Sequence, residues 1–284
     1  MIIKRSGASF LVGLLFIVGC LGYFLLKENS GEELTTVEAK GIHVENSKQD
    51  EYPEPEAGQD TKAASLLHNM EKGFIICIDP GHQQKGNAEH EPVGPRATET
   101  KMKVTGGTSG VSTGEPEYEL VLEASILLRD ELQKRGYDVI LTRETHEVNI
   151  SNRERAEIAN QNKADLFIRI HADGSTDSSV SGFHVLTPGE ANPYTSPIFS
   201  ESLAASQSIL EKVSESQEII VKGKGITQRS DLSGFNWAKV PTTLIEIGYM
   251  TNPEEDMKLS DKTYLTNMMI AIADGIDSYL TDGL

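Results

Sequence analysis

Phe74-Ile75-Ile76-Cys77-Ile78-Asp79-Pro80-Gly81-His82 is an apolar, β-branched run of strand length that breaks into turn residues and ends on a histidine. About ninety residues later, Leu166-Phe167-Ile168-Arg169-Ile170-His171-Ala172-Asp173 repeats the arrangement. Continuous apolar runs of this length, bounded by turn signals, have the pattern of buried strands. Outward from them the chain alternates. Glu117 to Lys134 carries apolar residues at 120, 122, 124, 127, 128 and 132, a helical stripe that Gly136 ends. A strand follows over 137–141. Ser151, with Glu154 three residues on, forms the capping box of a helix through about 162. Strands over 165–170, 182–186 and 242–246 and helices over 196–216 and 261–279 complete the pattern. Strand–helix alternation of this kind predicts a single α/β domain, with a mostly parallel or mixed sheet and helices on both faces.

In such a sheet ligands bind outside the carboxyl ends of the strands. His82 and His171 both fall there, placed to share a metal ion. Two carboxylates join them: Glu117 opens a helix, and Glu246 ends the run Thr242-Thr243-Leu244-Ile245-Glu246. Zinc takes a small shell of His and Asp/Glu ligands, and a catalytic zinc keeps a position open. His82, Glu117 and His171 fit the ligand roles. Glu246 fits the role of a group that moves protons without binding the metal. Arg143 reads as a structural ion-pair former. Asp79 reads either as a turn former before proline or as a group that orients a ligand. His90, His146 and His184 have no comparable context.

These motifs together resemble the zinc-dependent N-acetylmuramoyl-L-alanine amidases of bacterial cell walls. The resemblance spans about 73–280. The family's Asp-Pro-Gly-His is Asp79 to His82, and its Thr-Arg is Thr142-Arg143. Its Ile-His-Ala-(Asn/Asp) is Ile170 to Asp173, and its Glu-x-Gly-(Phe/Tyr)-x-(Ser/Thr)-Asn is Glu246 to Asn252. The helix that opens on the glutamate ligand has Val121 where the family has asparagine. That departure leaves Glu119 as an alternative to Glu117, which the spacing favours. The resemblance implies Zn2+ as cofactor, peptidoglycan as substrate and hydrolysis of the amide between N-acetylmuramic acid and the L-alanine of the stem peptide. A zinc peptidase cutting within the stem, or an inactive wall-binding relative, are the competing expectations.

A formal net charge of −17 over 284 residues argues against a nucleic-acid partner, whose phosphates demand a basic surface. The only cysteines, Cys20 and Cys77, lie in an apolar leader and a core strand, so no disulfide is expected. Lys4 and Arg5 precede an uncharged stretch of roughly 20 residues, long enough to span a bilayer. The basic flank predicts an N-terminus inside and a catalytic domain outside the membrane. Ile17-Val18-Gly19-Cys20 also resembles a lipobox, and a cleaved export signal is the third option. The expected division is an anchor over 1–27, an acidic tether over 28–72 and a catalytic domain over 73–284. The Gly- and Thr-rich stretch over 83–116 joins two proposed ligands and is expected to wall the substrate groove. Arg96 within it is expected to be exposed.

Overall fold

The computed structural model describes residues 72–282. The anchor and nearly all of the tether lie outside the described residues. The first strand, β1 (Ile75–Pro80), pairs in parallel with β4 (Asp138–Leu141) on one side and β5 (Leu166–Asp173) on the other. β8 (Thr242–Tyr249) extends the parallel set beyond β5. β6 (Phe183–Pro188) runs antiparallel to β8, and β7 (Val221–Arg229) lies parallel to β6 at the edge. The sheet order is β4-β1-β5-β8-β6-β7, the mixed, mostly parallel sheet expected.

Each central strand divides its side chains between two faces, as the two-residue period demands. Ile76, Ile78, Leu166, Ile168, Ile170, Ile245 and Ile247 pack into the larger core. That core also takes α1 (Glu117–Lys134), α3 (Phe199–Ser214) and α6 (Lys262–Asp282). On the opposite face Cys77 and Phe167 meet Ala156 and Ala159 of α2 (Asn152–Gln161). Leu244 there meets Phe235 of α4 (Ser233–Trp237). Helices therefore cover both faces.

Local chemistry sets the helix ends. In α1, Leu120, Ala124, Leu128 and Leu132 form a buried stripe. Gly136, at φ 86°, stops it: its N–H reaches Gln133 O and the Tyr137 N–H reaches Leu132 O, a Schellman closure. At α2 the Ser151 hydroxyl accepts from the Glu154 N–H and the Glu154 carboxylate accepts from the Ser151 N–H, the capping box expected.

Several elements differ from expectation. The helix expected from 196 begins as a 3-10 turn, Ser196–Ile198, which contains Pro197, and becomes α3 only at Phe199. β5 and β8 run past His171 and Glu246, because the two residues pair with each other across the sheet. The stretch over 83–116 is not plain loop: β2 (Asn87–Pro92) and β3 (Thr100–Val104) form an antiparallel hairpin. β7, α4 and α5 (Pro253–Leu259) were not apparent in the hydrophobic pattern.

Candidate metal centre

The turn after β1 carries His82 in a left-handed backbone conformation, φ 57°, uncommon for a residue with a side chain. A fully buried ionic hub holds it. Asp79 Oδ1 lies 2.7 Å from Arg155 Nη1, and Asp79 Oδ2 lies 2.8 Å from Arg169 Nε. Thr142 Oγ1 donates to the same carboxylate. Arg155 then donates to the carbonyls of Pro80 and His82, each at 2.7 Å, which clamps the turn. Burial opposes the charge on Asp79, but the two guanidinium groups and the hydrogen bonds outweigh it and hold the carboxyl far below the usual range. Asp79 is thus neither a simple turn former nor a partner of the imidazole ring. It fixes the backbone from which His82 projects.

Arg143 departs from expectation as well. No carboxylate pairs with it among the described residues. It donates to four backbone carbonyls, those of Pro80, Gly81, Tyr118 and Thr145, at 2.8–3.2 Å. It ties the β1 turn to the first turn of α1. Burial pushes its guanidinium down to about 10.

Three side chains meet above the ends of β1 and β5. His82 Nε2 is 3.1 Å from Glu117 Oε1, His171 Nδ1 is 3.2 Å from the same oxygen, and the two nitrogens are 3.1 Å apart. Glu119, the alternative, is absent from this cluster. The His82 Nδ1 faces the carbonyl of Thr105 at 3.0 Å; a carbonyl can only accept, so Nδ1 carries the proton and Nε2 presents its lone pair to the cluster. The remaining lone pairs of Glu117 are taken by the N–H groups of Thr108 and Ala172. Burial opposes ionisation of Glu117, but the neighbouring His171 and His82 outweigh it and hold the carboxyl below its usual range. Burial also lowers the His171 imidazole to about 4, so it is neutral at pH 7.

The donor set fits zinc. Two imidazoles and one carboxylate are a usual catalytic shell. Tetrahedral ligands at about 2.0–2.1 Å from zinc stand about 3.3 Å from one another, close to the separations observed. Room for this cluster depends on two glycines. A Cβ on Gly81 would lie 2.3 Å from His171 Cε1, and one on Gly107 would lie 2.8 Å from Glu117 Oε2.

Glu246 stands opposite His171 in the β5–β8 ladder, so both project from the same face of the sheet. Its Oε2 is buried and has no hydrogen-bond partner. Burial, with the carboxylates of Glu117 and Asp173 adding repulsion, raises Glu246 well above the usual range. A groove of ≈ 670 Å3 opens beside it, lined by His82, His171 and Glu246 and walled by Met102 and Val104 of the hairpin. That hairpin is bolted down. Trp237 Nε1 donates to Pro92 O, Asn236 Nδ2 to Val93 O, Asn152 Nδ2 to Lys103 O and Lys101 Nζ to Asp231 O, all within 2.7–2.9 Å. The expectation that 83–116 walls the groove is met, and Arg96 is exposed. His90, expected to be incidental, also lines the groove.

A family profile described as N-acetylmuramoyl-L-alanine amidase matches residues 76–278. The chain belongs to this family. It is 29% identical over 220 residues to the N-acetylmuramoyl-L-alanine amidase Rv3717 of Mycobacterium tuberculosis, covering 73% of this chain and 87% of the relative. With the amidase AmiA of Salmonella typhimurium it shares 28% identity over 239 residues, 72% of this chain and 75% of the other. Among solved structures, the amidase Ami1 of Mycobacterium smegmatis superposes with a TM-score of 0.67 at 26% identity, over 75% of this chain and 99% of that one. The amidase motifs read in the sequence thus converge in space on one cluster. Arg155 and Arg169, which hold its frame, carried only one sequence signal: Arg169 is a charge inside an otherwise apolar strand.

Proposed function

We propose that this amidase hydrolyses the bond between N-acetylmuramic acid and the L-alanine of the stem peptide, with zinc held by His82, Glu117 and His171. The convergence of those three donors beside an unpartnered Glu246 oxygen carries the reading. Zinc bound there supplies a Lewis acid that polarises the scissile carbonyl and acidifies water. Glu246 accepts the proton of the attacking water and returns it to the departing alanine nitrogen, a poor leaving group unless protonated. Its raised pKa suits this two-way role, since a shuttle works best when its acid and base forms are close in energy near the working pH. Thr105 and the Asp79–Arg155 clamp keep His82 in its ligand orientation.

The uncharged stretch after Lys4 and Arg5 supports a further part of the reading, that an N-terminal anchor holds the enzyme at the outer face of the cytoplasmic membrane. Among the described residues no helix is long and apolar enough to cross a membrane.

Mass spectrometry of peptidoglycan digested by the purified protein tests the reaction. Intact stem peptides beginning in a free L-alanine, beside peptide-free glycan, are expected. Peptides cut internally would instead show a peptidase.

A further inference from the structure

Beyond β8 the sheet continues into β6 and β7, and a second cleft of ≈ 470 Å3 opens there. Lys222, Lys224, Arg229, His184 and Asp173 line it. Its shape comes from an irregular ladder. Phe183 pairs with Val221 and Val185 with Ile226, so two steps along β6 are matched by five along β7. Residues 222–225 thus stand against His184 alone and leave the ladder as an enlarged bulge, and bulges re-aim side chains beside active sites. Gly223 at φ 56° and Gly225 at φ 75° make the bulge possible. A Cβ on Gly225 would also lie 2.5 Å from Leu210 Cδ1.

The bulge places two lysines at the cleft. Lys222 Nζ lies 4.4 Å from the centre of the Tyr249 ring and donates to its hydroxyl. Neither Lys222 nor Lys224 has a carboxylate in ion-pair contact among the described residues, whereas Arg229 is neutralised by Asp231. With Arg229 neutralised, two lysines face one lining carboxylate, Asp173, in a chain whose net charge is −17. The cleft adjoins the catalytic groove. Leu186 and Arg229 line both, and Asp173 also lines a polar arm of the site with Gly174, Ser175 and Thr176.

We propose that this cleft is the subsite for a carboxylate of the substrate's peptide, bound by Lys222 and Lys224 with Arg229 at its rim. The proposal rests on the amidase reading. In that substrate the muramic acid carboxyl is consumed in the scissile amide, and the glycan otherwise offers hydroxyls and acetamides. The ionised groups are on the peptide. A cation-lined cleft adjoining the catalytic groove therefore matches the peptide side. A phosphate-rich wall polymer would compete for the same two lysines and is therefore an arm of the test.

Titration calorimetry of the intact chain with the L-alanine-headed stem peptide measures this binding without turnover. The peptide is used with free carboxylates and with those carboxylates amidated. The free form is expected to bind about tenfold tighter, the scale of a charge-assisted hydrogen bond. The difference should vanish in Lys222→Gln/Lys224→Gln and shrink at high salt. Lys224→Gln alone, which removes no contact within the fold, should lose part of it, so misfolding of the double variant cannot decide the result. Equal binding of both peptide forms by all variants would overturn the proposal, as would lysine-dependent binding of polyglycerol phosphate with no binding of the peptide. Digestion of peptidoglycan by the unaltered protein runs in parallel. Lysine-dependent binding without peptide release would keep the subsite and remove the amidase reading. Release without lysine-dependent binding would do the reverse.

Discussion

Glu246 and Gly81 show how much of the chemistry rests on single atoms. In Glu246→Gln the side chain keeps its size but can no longer carry the proton. Hydrolysis should fall by roughly 10²-fold to 10⁴-fold while bound zinc is unchanged, read from released peptide and metal content of one sample. Loss of zinc would make Glu246 a ligand instead. Gly81→Ala tests the cluster from the other side. Every ligand survives, yet the new Cβ meets the His171 ring at 2.3 Å, so the ring or the β1 turn must move. Overpacking of this kind costs about 1–3 kcal/mol. Zinc affinity should drop, though less than in His82→Ala or His171→Ala, each of which removes a proposed ligand outright. Titration with a competing chelator orders the three. Wild-type affinity in Gly81→Ala would mean that the cluster yields without harm.

Among the elements, the β1 turn depends on α2 and β5 through Asp79. Asp79→Asn leaves Arg155 and Arg169 facing a neutral partner in a buried site. Removing one partner of such a pair costs about 3–5 kcal/mol, which urea unfolding of the metal-free protein would register. The sign with pH follows from the lowered carboxyl. Its contribution is complete above about pH 4, where the unfolded aspartate is ionised, and drains away as pH falls toward the folded value. The wild-type advantage over Asp79→Asn should therefore be constant near neutrality and shrink in acid. An advantage that persists undiminished to the lowest pH would show that the hub is held by shape rather than charge.

For the whole molecule, every buried core side chain among the described residues falls between Ile76 and Leu280. A chain lacking residues 1–71 should fold cooperatively, bind about one zinc and hydrolyse soluble muropeptides. A single unfolding transition coincident by circular dichroism and tryptophan fluorescence is the expected record. Insoluble or metal-free product would place part of the domain upstream of Lys72. Loss of action on intact cell walls, with muropeptide activity kept, would give the N-terminal segment a targeting role.

Most of the central sheet and the members of the His82–Glu117–His171 cluster were legible in the sequence, because their signals are local. A strand buried on both faces must be apolar throughout, a capping box must carry its serine and glutamate three apart, and ligands must follow the strands that deliver them. The hairpin Asn87–Pro92 with Thr100–Val104, and the edge strand Val221–Arg229, gave no such signal. Each is largely exposed, so no buried face required apolar alternation. Nor does sequence order say that β8 lies beside β5, or that Arg155 and Arg169 meet Asp79 across 76 and 90 residues. Those neighbours are chosen by packing among distant segments. The sequence alone therefore determined which residue types form the centre. The tertiary structure decided that Glu246 faces His171, that a hairpin closes one wall and that a lysine-lined cleft adjoins the groove, since each requires segments far apart in the chain to be brought together.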